Sequence, residues 1–241
     1  MELTFLGTAS AYPTPSRCVS CTALRYKDWV WLFDCGEGSQ IQLMKSSLKP
    51  GKISKIFITH LHGDHAFGLP GLMCTISQNN QRSEPVEVYG PVGLRNFLQV
   101  SLGVSRAEMG FTFVVHELQP IPEQLPPELW DIDKVEQCSL HPNETPGTII
   151  HCNKDLIWTV QLGVPPGPLI RSAEAGGNCH KLESGDQARG ADVLVHEVTL
   201  ENALEQTCIE KGHSTPKEQS VRKLLAEAEE VLGPVLYAQR T

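Results

Sequence analysis

An α/β layered fold is what this sequence predicts, and three observations carry that reading. Strand-like apolar runs alternate with segments of helical periodicity through the first half of the chain. A further strand-like run, Ala191-Asp192-Val193-Leu194-Val195-His196, appears late and leads into two helix-like stretches. With 241 residues, 40% of them hydrophobic, the chain can enclose a substantial core, so one domain over residues 1–241 is expected.

In order, residues 3–5 read as a strand into Gly7, residues 17–26 as extended, and Trp29-Val30-Trp31-Leu32-Phe33 as an apolar aromatic strand closed by Asp34-Cys35-Gly36-Glu37-Gly38. Ile41, Leu43, Met44 and Leu48 recur at helical spacing over 39–48, and Pro50-Gly51 stops that helix. The strand 53–58 then delivers His60 at its carboxyl end. Residues 66–78 read as a helix interrupted near Pro70-Gly71, 86–89 as a strand, 92–102 as a helix and 111–115 as a strand. Residues 119–190 carry prolines at 120, 122, 126, 127, 142, 146, 165, 166 and 168, which leave little room for regular elements. Helices return at about 200–211 and 216–231, the second with Thr215 as its cap and Pro216 in its first turn.

A net charge of −8 argues against bulk attraction to a polyanion, so any nucleic-acid contact must be local. Met1-Glu2-Leu3-Thr4-Phe5 has no basic patch ahead of an apolar stretch, and no apolar run reaches membrane-spanning length. A cytoplasmic or nuclear protein with no membrane association is expected. The eight cysteines then read as reduced thiols. Cys18-Val19-Ser20-Cys21 is a single pair with no second pair to complete a zinc site.

The chemistry concentrates in Thr59-His60-Leu61-His62-Gly63-Asp64-His65. His60, His62, Asp64 and His65 combine imidazoles with a carboxylate, the donor set suited to zinc, within six residues. A polar surface loop is the bland alternative. Three histidines with an aspartate between them, and Gly63 to allow a tight backbone, weigh against it. Two adjacent ions on such a loop would activate a water and clamp a phosphoryl oxygen, with Asp64 both ligating metal and taking the proton of that water. Phosphodiester or amide hydrolysis follows.

His-x-His-x-Asp-His after a strand resembles the signature of the metallo-β-lactamase superfamily. The resemblance implies a four-layer αβ/βα sandwich with metals at one edge between its two sheets. It narrows through Phe5-Leu6-Gly7-Thr8 with Pro13-x-x-x-Arg17, Leu32 to Gly38, and Ile56 to His60 continuing through Gly68-Leu69-Pro70-Gly71. Further pieces are Tyr89-Gly90-Pro91-x-Gly93-Leu94, Gly163-Val164-Pro165-Pro166-Gly167-Pro168, His196-Glu197-Val198-Thr199 and Gly212-His213-Ser214-Thr215. Together these resemble the ElaC-type short form of tRNase Z over roughly residues 1–118 and 162–220. That family implies two zinc ions per chain, a homodimer, and a precursor tRNA substrate whose 3′ trailer is removed to leave a 3′-hydroxyl. It also implies that His213 protonates the departing ribose oxygen while Glu197 orients the imidazole.

Three later metal motifs of the family are not intact. No histidine stands where its third histidine strand belongs, between Trp158 and Gly163, and the surroundings of His141 and His151 do not match. Gly177-Asn178-Cys179 and Gly185-Asp186-Gln187 echo the aspartate turn, which leaves Asp186 as the carboxylate candidate because asparagine brings no charge. Leu236 stands where the last histidine belongs. The sandwich is therefore expected to be incomplete in its second half, as in a shortened form, and to cleave poorly. The competing reading is a non-catalytic binding or dimerisation partner that keeps the fold. A thioester or lactam hydrolase is a third reading, disfavoured by the tRNase-like pieces.

Overall fold

In the computed structural model, which describes residues 1–78, 82–119 and 139–151, the chain opens as an antiparallel meander and then turns parallel. Strands β1 (Glu2–Gly7), β2 (Cys21–Tyr26) and β3 (Trp29–Phe33) pair antiparallel, with Tyr26 opposite Trp29 across a two-residue turn. Lys27 in that turn takes a left-handed φ of 54°. Helix α1 (Ser39–Lys45) and a 3-10 turn at Pro50–Lys52 cross over to β4 (Ile53–Phe57), which lies parallel to β3. Then follow α2 (Gly63–Ala66), α3 (Leu69–Ser77), β5 (Val86–Pro91), α4 (Leu94–Val104) and β6 (Phe113–Gln119), with β5 parallel to both β4 and β6. Two short strands, β7 (Glu144–Thr145) and β8 (Ile149–His151), extend the sheet by pairing parallel with β6. All described residues fall within one compact unit, Met1–Asn153.

The two-residue period of a strand divides the sheet into unlike faces. Leu32, Ile56, Val88 and Val115 stand opposite one another across β3 to β6, and all four are buried in one core with Leu43, Leu69, Leu72, Met73, Ile76, Leu94, Leu98 and Leu102 of the helices. Each such side chain contributes roughly 1.5–3 kcal/mol by leaving water. One residue further along each strand, Phe33, Phe57, Tyr89 and His116 form a ladder of stacked rings with centroids 5.1, 5.1 and 4.7 Å apart. Phe57 and Tyr89 are buried yet stand outside the helix-side core. A sheet with helices on one face and a buried aromatic row on the other is one αβ half of a layered sandwich.

The elements expected from sequence recur with three differences. The helix expected over 66–78 breaks at Phe67 and Gly68, and Pro70 lies in the first turn of α3, where its missing N–H costs nothing, so the proline starts a helix rather than interrupting one. Residues 17–20 precede the strand and pair instead with the segment after β1, through an isolated Ala9–Val19 bridge and the Thr8 and Ala9 N–H groups donated to the Cys18 carbonyl. Within the proline-rich stretch, β7 and β8 are regular because the open edge of β6 supplies backbone partners. The strand expected at 191–196 and the helices at 200–211 and 216–231 lie outside the described residues. No helix among the described residues is long and apolar enough to cross a membrane.

Candidate metal centre

The cluster forms where three chain segments meet at the carboxyl ends of β3 and β4. The Asp34 N–H donates to the Phe57 carbonyl (2.7 Å), which extends the β3–β4 pairing by one bond and turns Asp34 into a left-handed φ of 60°. That turn aims the aspartate carboxylate at the residues after β4. His62 opens α2, with the His65 and Ala66 N–H groups both donating to its carbonyl at 3.0 and 3.1 Å. Two backbone bonds then lock the pieces together, from the Cys35 N–H to the His65 carbonyl (2.8 Å) and from the Gly68 N–H to the Cys35 carbonyl (2.9 Å). The approach demands glycine: a Cβ on Gly36 would run into the Asp64 carbonyl, and one on Gly68 into the Gly36 carbonyl.

Asp34 is 3% exposed, and its carboxylate is satisfied by donors from three directions. Its Oδ1 accepts the Thr59 N–H and the Thr59 hydroxyl, both at 2.9 Å, while Oδ2 accepts the Ser20 hydroxyl at 3.0 Å and His65 Nδ1 at 2.7 Å. The consequence reaches both imidazoles. Because the Thr59 hydroxyl spends its proton on Asp34, its oxygen accepts from His60 Nδ1 at 3.0 Å. His60 and His65 are thus both held as Nδ1–H tautomers, and the lone pair of each ring sits on Nε2.

The four expected ligands are brought together. Ring centroids lie 4.8 Å apart for His60 and His62 and 3.9 Å apart for His60 and His65, and His65 Nε2 faces Asp64 Oδ2 at 3.5 Å. Burial, and then the unfavourable cost of a second charge beside the His65 ring, pushes His60 down from its ordinary 6.5 to about 4, which keeps its imidazole neutral at physiological pH. For Asp64 burial pulls upward, but the Ala11 N–H donated to Oδ2 at 2.7 Å, with nearby histidine charge, outweighs it and leaves the carboxyl below its ordinary value. Imidazole rings, that of His60 held neutral, beside the Asp64 carboxylate and with a buried aspartate behind one ring, are the donor chemistry and outer support that zinc requires. The residues fit such an ion. Among the described residues no three histidine, cysteine, aspartate or glutamate side chains already close as a complete metal-holding group.

Asp34, Thr59 and the Ala11 amide are the functional groups that sequence reasoning missed. A charged residue closing an otherwise apolar strand was the available signal for Asp34. His141 is engaged elsewhere: its Nε2 donates to the Ala107 carbonyl (3.2 Å), its Nδ1 accepts the Asn143 N–H (3.2 Å), and its ring packs against Phe113. His151 is the last residue of β8. Cys18, Cys21, Cys35 and Cys74 are free thiols, and burial pushes the Cys21 thiol up to about 12. Asp186, Glu197 and His213 lie outside the described residues.

Comparison with known proteins places this geometry among relatives. Residues 1–203 match the family model described as Anti-Pycsar protein Apyc1. The human zinc phosphodiesterase ELAC protein 1 is 36% identical, over 90% of this chain and 81% of that protein. Ribonuclease BN of Escherichia coli O7:K1 is 35% identical over 90% of this chain and 83% of its own. The crystal structure of human tRNase Z, short form, superposes with a TM-score of 0.74 at 39% identity, covering 95% of this chain and 88% of that one. The metallo-beta-lactamase fold protein YhfI from Bacillus subtilis, at 15% identity and a TM-score of 0.53, shares the fold over 98% of this chain and 96% of its own. The alignment to the human relative spans 293 residues against the 241 of this chain, so that relative carries positions for which this chain has no counterpart.

Proposed function

Because the chain belongs to the short-form tRNase Z family of metallo-β-lactamase-fold zinc phosphodiesterases, and by its family-model match to the Apyc1 group as well, we propose that it is a zinc-dependent endonuclease removing 3′ trailers from precursor tRNA. The products are a tRNA ending in a 3′-hydroxyl and a trailer bearing the phosphate. The observation that carries the reading is the Asp34–Thr59 network, which fixes His60 and His65 in the tautomers a metal needs.

His60 and His65 through Nε2, with His62 and Asp64, would hold zinc, two ions per chain as in the family, and Asp186 is the downstream carboxylate proposed to share them. An ion bound there would supply Lewis acidity toward a water and a phosphoryl oxygen. Asp64, ionised and anchored by the Ala11 N–H, accepts the proton as that water adds to phosphorus. His213 protonates the departing ribose oxygen, a poor leaving group otherwise, and Glu197 holds the ring in position. The active form is proposed to be a homodimer in the cytoplasm or nucleus.

A second reading, a non-catalytic partner that keeps the fold, is favoured by Asn178 and Leu236 at positions of family ligands. One assay separates the two. Purified chain is incubated with zinc and a precursor tRNA, and the ends are mapped. Endonuclease action predicts a cut just after the discriminator nucleotide, its loss in Asp64→Ala, and slower cutting with unchanged zinc in His213→Ala. No cut at any zinc concentration, with zinc bound, would leave the partner reading standing.

A further inference from the structure

Two aromatic rings stand exposed at the rim of the metal cluster, and each is tied to it. Phe67 follows His65 by two residues and is 65% exposed. The ring lies against Gly63, where a Cβ would run into it, and its centroid is 6.2 Å from that of Phe97 with planes 28° apart. Tyr12 is 71% exposed and directly follows Ala11, whose left-handed φ of 64° lets its N–H reach Asp64. Isolated exposed apolar residues are ordinary and need no cause. These two differ in their anchoring: one rests on the glycine between two expected ligands, and the other is carried by the amide that grips Asp64. The Phe67 ring, held against Gly63 and Phe97 while 65% exposed, has given up part of its freedom before any ligand arrives.

We propose that Tyr12 and Phe67 are substrate-positioning residues that stack on the nucleobases flanking the scissile phosphodiester. The inference rests on the RNA-cleaving reading and deepens it. Nucleobases are the flat groups that accompany a phosphodiester, and stacking on aromatic side chains is how proteins grip unpaired nucleotides without reading their sequence. A chain with a net charge of −8 gains little from bulk attraction to phosphate, so contacts of this uncharged kind carry more of the grip. Tolerance of any base also suits an enzyme meeting trailers of varied sequence.

The test measures binding, so it does not depend on turnover. The full chain with zinc is titrated into a fluorescein-labelled RNA hairpin carrying a 3′ trailer, and into the same hairpin with abasic riboses at the two nucleotides flanking the cleavage site. The expected result is at least fivefold weaker binding of the abasic RNA by the unaltered chain. Tyr12→Ala and Phe67→Ala should each shrink that ratio, the double variant should bring it near one, and Phe67→Trp should restore it, all with unchanged zinc content. Phe67→Ala also removes packing from Phe97, which is why Tyr12→Ala and the tryptophan rescue are included. Equal binding of both RNAs by the unaltered chain, or variants that keep its preference, would overturn the inference alone. Binding of neither RNA would overturn the RNA reading and the inference with it.

Discussion

The same sheet carries two polar clusters that solve burial in opposite ways. At the strand ends, Ser20, Thr59 and His65 all direct donors at the Asp34 carboxylate, and the outward nitrogens of His60 and His65 keep their lone pairs. On the aromatic face, Lys55 and the Tyr89 hydroxyl both close on Glu87, between rings stacked on either side of Tyr89. Burial raises Glu87, but those two bonds outweigh it and hold the carboxyl below its ordinary value. The Tyr89 phenol is pushed up by burial and by the same carboxylate. The second cluster consumes its own polarity and is structural. In the first the carboxylate is spent on orientation, which leaves chemistry pointing outward.

Exchanging the two carboxylates tests that contrast most severely. Asp34→Ala strands several buried donors and frees both imidazoles, so it should cost roughly 3 kcal/mol or more in denaturant unfolding and weaken zinc binding by about 10–100-fold in a competition titration. Glu87→Gln should leave zinc affinity within about twofold while costing on the order of 1–2 kcal/mol. If Glu87→Gln depletes zinc as Asp34→Ala does, the division into structural and functional clusters fails.

A smaller effect belongs to the backbone that brings the segments together. Gly36→Ala drives a methyl into the Asp64 carbonyl and the Val19 side chain, and should destabilise by about 2–3 kcal/mol, read from chemical denaturation. A neutral result would mean that the loop after β3 can shift away from the ligand turn at no cost.

A pH-dependent effect comes from proton linkage at His60. Between pH 6.5 and about 4 the unfolded chain binds a proton that the folded, metal-free chain refuses, so stability should fall as pH drops through that window and level off below it. The loss should reach at most about 3 kcal/mol, absent from His60→Gln, as measured by unfolding with chelator present.

Much of this was legible in the sequence because the relevant signals are local. Apolar runs bounded by turn residues marked the strands, and four ligand-type residues within six positions marked the site, since neither depends on what the chain meets later. Asp34 was visible only as part of a motif. Its role depends on a left-handed backbone and on Thr59, twenty-five residues away, which periodicity cannot reveal. Pro70 misled because the same residue that breaks a helix also begins one. β7 and β8 were hidden for the converse reason: two- and three-residue strands have too few positions to show a period, and only the waiting edge of β6 makes them regular. Asp186, Glu197 and His213 rest on motif likeness alone.

The central claim is that a buried aspartate and a threonine poise His60 and His65 for zinc, and metal content by mass spectrometry on the purified, dialysed chain tests it most directly. The account predicts one or two zinc ions retained per chain and far less in Asp34→Ala. A chain that retains no divalent ion and takes up neither added zinc nor manganese would contradict it.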